Sequence, residues 1–546
     1  MLSLLLVAGA TLLALYSYNR LRYLRFSQYA HIPQVPSHLI WGHLKAFGEL
    51  TRRGIPDRHP DEIFKEMWMS MGRPPLMLVD LRPVNAPMVL VPTHDIAEQI
   101  SKPTQLFPLS TPKSPTWTHM IPIIGESSIL GKEGADWKEL RRRYSPGFAN
   151  QHLWRLLPLI LEKMGPFCNY LDEFSTSGEE FSAERLISNL TFDIIGAAAM
   201  EVDLHAQHMD RSKQSEVIRL FGDLVQSYSD DNNNFPWWIV PLTALKRHQL
   251  ARRIDSLIKR IIQQKYAEVK EEAEGNRSRS ILALSLQESE SLTPQLLSET
   301  SDQVRSFLFA GHDTNTSMLQ WAIYELSRTP RALKAVHSEL DEVLGPDTDP
   351  RVICSILAER GHDLLPRMTY VNAVIKETLR LHPPAGTARM TTPGTGFTVK
   401  TSAGEEYLMD GLIMYSCASI IQRDPIVFGD TADDWVPERW LGEAANRIPS
   451  SAWRPFERGP RNCIGLELAN IESRIIIAIV ARKYEFIKTG LGESALDATG
   501  LPTLNDKGQY RVQSELYNTR KMTSKPVDGT TMKVKFAVKP LSALST

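Results

Sequence analysis

The sequence predicts a mainly α-helical protein with a smaller β-rich part, an α+β class, preceded by one membrane-spanning helix. Three observations carry this. Helical periodicity dominates from residue 135 to about 390 and returns after residue 465. Strand and turn signals are confined to 75–92 and to about 385–415. Residues 2–18, LSLLLVAGATLLALYSY, form a 17-residue run without a charge.

That run sits at the lower limit of roughly 17 residues for crossing a bilayer. Tyr16 and Tyr18 suit the interface, and Arg20, Arg22 and Arg25 follow at once, which predicts a cytoplasmic C-terminal side. A cleaved secretory signal would carry positive charge ahead of the run and close on small residues, and neither feature is present. The expected organisation is an anchor at 2–18, a connector at 19–57 and a large domain at 58–546. Pro33 and Pro36 favour an extended, stiff connector.

Within the large domain, PLMLVDLRPVNAPMVLVP (75–92) reads as two strands and a turn. Residues 303–328 read as one long helix that stops at Thr329-Pro330, where a new helix starts with Thr as cap and Pro at its first position. Another helix follows residue 465, over LELANIESRIIIAIVARKYEF. KEEAEGNRSRS (270–280) is the most polar stretch and is expected on the surface. NNNFPWWIVPL (232–242) is an aromatic run between helices. Its Phe235, Trp237 and Trp238 either pack into the core or dip into the lipid interface.

Composition narrows the function. With 546 residues, 42% of them hydrophobic, the chain can bury one large core or two smaller ones. Lys+Arg (62) nearly balance Asp+Glu (63) for a formal net charge of −1, which argues against a nucleic-acid partner. The 4 cysteines, Cys168, Cys354, Cys417 and Cys463, form no CxxC pair and no zinc-like spacing. So few in so long a chain fit a reducing, cytosolic setting for the large domain.

Cys168, Cys354 and Cys417 read as small buried hydrophobes. Cys463 differs, because PFERGPRNCIG (455–465) places it in a loop shaped by Gly459, Pro460 and Gly465, directly before a helix. Helix-start amides favour a thiolate there. Such a thiolate is either a nucleophile, for which no local base is evident, or a soft metal ligand. A single thiol excludes a four-cysteine zinc or iron–sulfur site. It suffices for haem iron, where the porphyrin supplies four other ligands.

Phe456, Gly459, Arg461, Cys463 and Gly465 match F-x-x-G-x-R-x-C-x-G at every fixed position, and in this the chain resembles the cytochrome P450 family. ETLR (Glu377, Arg380), PERW (Arg439), AGHDTN (Ala310, Gly311, Asp313, Thr314) and WKELR (Trp137 to Arg141) occur in the family's order. The resemblance spans about residues 35–540. It implies the cytochrome P450 fold, a triangular prism, and heme b with Cys463 as its axial thiolate. It further implies that Arg461, Trp137 and Arg141 meet haem propionates, with Phe456, Ala310, Gly311 and Gly465 lining the cofactor. Gly311 would let a flat cofactor lie against the helix. Thr314 would hydrogen-bond dioxygen while Asp313 relays protons. Glu377, Arg380 and Arg439 would form a structural network, and Arg142 and Arg143 a surface for an acidic electron donor. Asn315 stands where the family often has Thr or Ser, and His312 faces either substrate or a neighbouring helix.

The implied activity is monooxygenation of an apolar small molecule with O2, by an enzyme held by a single-pass anchor in a lipid membrane. The endoplasmic reticulum is the expected membrane, with the catalytic domain facing the cytosol. Electrons would come from a separate NADPH-dependent flavoprotein reductase, since no fused nucleotide-binding motif is evident. Substrate contacts are expected around 104–125, 232–242, 303–314 and 383–389. The wording of the long-helix and ETLR segments is similar to filamentous-fungal members of secondary-metabolite pathways, polyketide mycotoxin routes included. The alternative is a haem-thiolate isomerase or dehydratase that needs no reductase. A haem sensor or carrier, and a cysteine hydrolase, are more distant rivals.

Overall fold

The computed structural model describes residues 2–229, 240–271 and 279–537. Phe235, Trp237 and Trp238, and most of the polar stretch 270–280, lie outside the described residues. The chain divides into two compact units. Unit 1 comprises Met1–Thr116, Gly386–Ala432 and Pro449–Asn462, and unit 2 comprises Trp117–Ala385, Asp433–Ile448 and Cys463–Thr546.

In unit 1, strands Met77–Val79, Met88–Val91, Ile413–Ser416 and Thr387–Met390 form one sheet in that order. Met88–Val91 runs parallel to Ile413–Ser416, with Leu90 opposite Tyr415. Side chains alternate between faces. Leu78, Val89, Val91 and Met414 enter one apolar cluster, and Met77, Val79, Leu90 and Ile413 the other. Covering both faces explains why these strands read as continuous apolar runs. The stretch expected as a connector is built into this unit. Ile32 joins the first cluster and Val35 the second, and Leu44–Arg53 is a helix.

The helix expected as an anchor runs Leu2–Arg22 and continues as a π-helical turn, Tyr23–Ser27. Within Leu2–Ser27 an 18-residue stretch reaches a mean hydropathy of 1.5, and the helix is long and apolar enough to cross a membrane. Arg25, one of the three charges flanking the apolar run, is buried against Asp80.

Unit 2 is built around the helix Pro294–Arg328. Thr293 caps it by accepting from the Leu296 amide at 3.1 Å, and Pro294 takes the first position. This cap starts the helix before residue 303; its first turns, PQLLSETSD, are too polar to show periodicity in the sequence. It ends at Arg328 as expected, and the next helix is Pro330–Leu344. Thr329 occupies the cap position, yet its hydroxyl makes no capping bond; it accepts from Gln509 Nε2 at 3.0 Å. The long helix is buried on nearly every side, as a central helix must be, and the small-residue helix Ala183–Met200 packs along it.

The C-terminal helix is Leu466–Lys483, shorter than the periodicity suggested. Tyr484–Lys488 leaves it as a strand, because Thr531–Phe536 offers a pairing edge, with Phe181–Ser182 completing a three-stranded sheet. Asn518–Arg520 and Ser524–Pro526 form a separate hairpin.

Candidate active site

The cysteine loop begins in unit 1. Gly459 has φ +76°, and a Cβ on it would lie 2.2 Å from the Ser101 carbonyl oxygen, so only glycine fits. The Asn462 amide closes a turn onto the Gly459 carbonyl at 3.1 Å. Phe456 packs on Trp453 with ring centroids 6.0 Å apart, and Arg461 is buried. The division between units falls after Asn462. Cys463 opens the next segment of unit 2 with an exposed thiol, and the helix starts at Leu466 with Gly465 at its cap. Its first N–H groups lack intrahelical partners.

The other cysteines are held as thiols. Burial pushes Cys168 up to about 12, Cys354 up to about 11, and Cys417 well above its ordinary value. Gly465 has φ −88°, so its conformation does not demand glycine. A Cβ there would lie 3.9 Å from Cys463 Sγ and 4.0 Å from Phe148, closing on the flank of the thiol.

Trp137 and Arg141 share one face of the helix Gly134–Tyr144. Burial lowers the pKa of the Arg141 guanidinium, and an electrostatic interaction with Cys463 opposes that shift. The fold therefore brings Arg141 and Cys463 together. Arg143 is not a free surface charge; it bonds Glu299 at 2.6 Å and Glu139 at 3.0 Å. Arg142 remains exposed.

On the long helix, Ala310 is exposed although its preceding turns are buried. Thr314, one turn on, is partly exposed on the same face, and its Oγ1 donates to the Ala310 carbonyl at 2.8 Å. Gly311 has another use than the one expected. A Cβ on it would lie 2.7 Å from Ile195 Cγ1, so its missing side chain lets the helix Ala183–Met200 approach and does not clear space for a cofactor.

Asp313 is buried in an ion pair with Lys525, 2.5 Å away. Burial acts to raise its pKa, but the Lys525 ammonium outweighs that and holds the carboxyl below its ordinary value. Lys525 also reaches Glu184 at 3.4 Å, and Glu184 pairs with Lys521 at 2.7 Å. These four side chains line one cavity with His312 and Ser188. His312 faces the neighbouring helix, stacked on Phe192 with centroids 3.6 Å apart. Asn315 also points into packing: its Oδ1 accepts from Ser473 Oγ at 3.0 Å, which braces the long helix to the C-terminal helix. Beside it, burial pushes the Glu472 carboxyl up to about 8.

Glu377, Arg380 and Arg439 assemble as expected. Arg380 donates twice to Glu377, at 2.8 Å each, and Arg439 Nε once at 2.9 Å. Trp440 Nε1 and the Val436 amide complete the carboxylate's shell at 2.9 and 2.8 Å. Lys525, Glu184 and Glu472 were not singled out in the sequence. Only Glu472 left a signal there, a carboxylate inside the apolar run IESRIIIAIV.

The family model for cytochrome P450 matches residues 33–510. The cytochrome P450 monooxygenase acrF of Aspergillus aculeatus is 30% identical over 79% of this chain and 88% of its own length. The cytochrome P450 monooxygenase polC of Polytolypa hystricis is 26% identical over 86% of this chain and 84% of its own length. The crystal structure of the cytochrome P450DA heme domain superposes with a TM-score of 0.71 at 16% identity, covering 93% of this chain and 98% of that one. The chain belongs to the cytochrome P450 family, and its fold is that family's fold. It is a monooxygenase whose cofactor is haem.

The residues present fit that group. One thiol out of four is exposed, beside a cation, and one alanine interrupts the burial of the central helix.

Proposed function

We propose that this chain is a membrane-anchored monooxygenase in which Cys463 is the axial thiolate and the substrate is an apolar organic molecule of fungal secondary metabolism, a polyketide mycotoxin route being one example. The carrying observation is the exposed Cys463 thiol in the field of Arg141, in contrast to three thiols kept protonated by burial. Trp137, Arg141 and Arg461 hold the propionates, with Phe456, Ala310, Gly311 and Gly465 around the ring; Gly311 contributes only through the helix packing it permits. When bound, haem supplies the use of O2, two electrons and two protons to insert one oxygen atom into a C–H or C=C bond, the other leaving as water.

The chain's own residues manage protons. Thr314 Oγ1 presents its hydroxyl on the open face while donating to Ala310. Asp313, kept anionic by Lys525, takes protons from the cavity shared with Glu184 and Lys521 and passes them toward Thr314. The likeness to acrF of Aspergillus aculeatus and polC of Polytolypa hystricis, both named cytochrome P450 monooxygenases, supports the monooxygenase reading. The uncharged run 2–18 anchors the chain in the endoplasmic reticulum, residues 19–57 lead from it, and 58–546 form the catalytic domain on the cytosolic side. An NADPH-dependent flavoprotein reductase supplies electrons, and exposed Arg142 helps it dock. Reconstitution with such a reductase tests this: NADPH consumption should require both proteins and rise with the right apolar substrate. Turnover of a peroxide or oxime without the reductase would point to the isomerase instead.

A further inference from the structure

The turn that leads to Cys463 is gripped by one short helix of unit 1, His94–Ser101. Glu98 on that helix accepts from two arginines of the cysteine loop on a single oxygen. Arg454 Nη1 reaches its Oε2 at 2.9 Å and Arg458 Nε at 3.0 Å. Lys102 meets the other oxygen at 3.1 Å. The buried Arg454 side chain also donates through Nη2 to Ser101 Oγ at 2.7 Å and to the Ala97 carbonyl at 3.2 Å. Both acceptors lie toward the C-terminal end of the helix, where its dipole favours a cation. Arg458 ties the loop back on itself, bonding the carbonyl and the hydroxyl of Ser450 at 2.9 and 3.1 Å. Gly459 then presses on the Ser101 carbonyl, so loop and helix end meet without a gap.

Between the two arginines the backbone is strained. Glu457 has φ +53°, in the left-handed region that side chains other than glycine rarely adopt. Its carboxylate accepts from Arg454 Nη2 and from the Arg458 amide, the latter at 3.1 Å. Such a conformation persists only where its surroundings over-determine it. Here the surroundings are Arg454 and, behind it, Glu98. A carboxylate shared by two arginines fixes direction as well as distance. Cys463 follows Arg458 by five residues, with the Gly459–Asn462 turn between them, so a swing of the strained turn passes to the thiol along a short length of chain.

We propose that Glu98 is a positioning residue for the axial thiolate: through Arg454 and Arg458 it holds the loop in the shape that lets Cys463 stay on iron. This rests on the reading of Cys463 as the haem ligand. The test uses the reduced, carbon monoxide-bound, full-length holoprotein, warmed to a fixed temperature below the onset of unfolding. The rate at which its red-shifted Soret band is lost is followed beside far-UV ellipticity. Glu98→Gln keeps the shape and removes the charge that both arginines share. It should lose the band about 10-fold faster than the parent while ellipticity holds. Lys102→Met removes only the exposed partner of Glu98 and should match the parent. Arg458→Met releases one of the two arginines and should fall between parent and Glu98→Gln; it carries the test alone if Glu98→Gln does not fold. Parental rates in the Glu98 and Arg458 variants overturn the clamp and leave the thiolate standing. Band loss that only keeps step with loss of ellipticity, or that Lys102→Met reproduces, makes Glu98 a helix stabiliser and equally overturns it. A parent that never shows the red-shifted band overturns the thiolate reading and the clamp with it.

Discussion

At the scale of single residues, His312 shows how burial converts into pH dependence. It is enclosed by Phe192, Phe221 and Phe309, and burial pulls its imidazole from 6.5 to about 4 against the opposing charge of Asp313. The unfolded chain takes up a proton below pH 6.5 that the folded chain refuses until about 4, so stability falls as pH drops through that window. The loss amounts to about 3 kcal/mol. Denaturation midpoints from pH 7 down to 4.5 should therefore be flatter for His312→Phe than for the parent, and parallel profiles would contradict this. The sequence left His312 between substrate and helix. Phe309 is a local neighbour, but Phe192 and Phe221 lie 120 and 91 residues away in the chain, beyond any local pattern.

Elements are held to one another by buried polar groups. The brace from Asn315 to Ser473 joins the helix that carries Thr314 to the helix that follows Cys463. Next to it Glu472 is fully buried, and its carboxyl, raised from 4.5 to about 8, keeps its proton near neutrality. Here the sign runs the other way from His312. The unfolded chain gives up this proton above pH 4.5 while the fold retains it to about 8, so stability declines as pH rises between them. Glu472→Gln keeps the shape and removes the titration. It should raise stability at pH 7 by roughly 2–4 kcal/mol, a gain that shrinks toward pH 4.5. Equal midpoints for the two proteins at pH 7 would count against it. The Glu377–Arg380–Arg439 network behaves differently, since both charges are needed. Arg439→Met should cost about 3–5 kcal/mol and lower the yield of folded, haem-loaded protein, whereas Arg439→Lys should recover part of it.

For the whole molecule, what was legible followed from local rules. The long helix, its stop at Thr329-Pro330, the 75–92 strands and the exceptional setting of Cys463 are all written in periodicity, proline placement and glycine geometry. What was not legible depends on distant partners. Lys525 meets Asp313 only because the hairpin Asn518–Pro526 folds back on the central helix, and no spacing announces it. Gly311 looked like a space for a cofactor until Ile195 was seen filling it. Arg25 looked like a membrane-flanking charge, yet Asp80, far along the chain, claims it. In the function proposed for this fold, one thiolate, Cys463, holds haem. The most direct test of this is the carbon monoxide difference spectrum of the reduced protein, alone and as Cys463→Ser. The parent should show the strongly red-shifted Soret band of thiolate-bound haem, and the variant should lose it. A band at the position of histidine-bound haem in the parent, or a red-shifted band that survives the substitution, would contradict it.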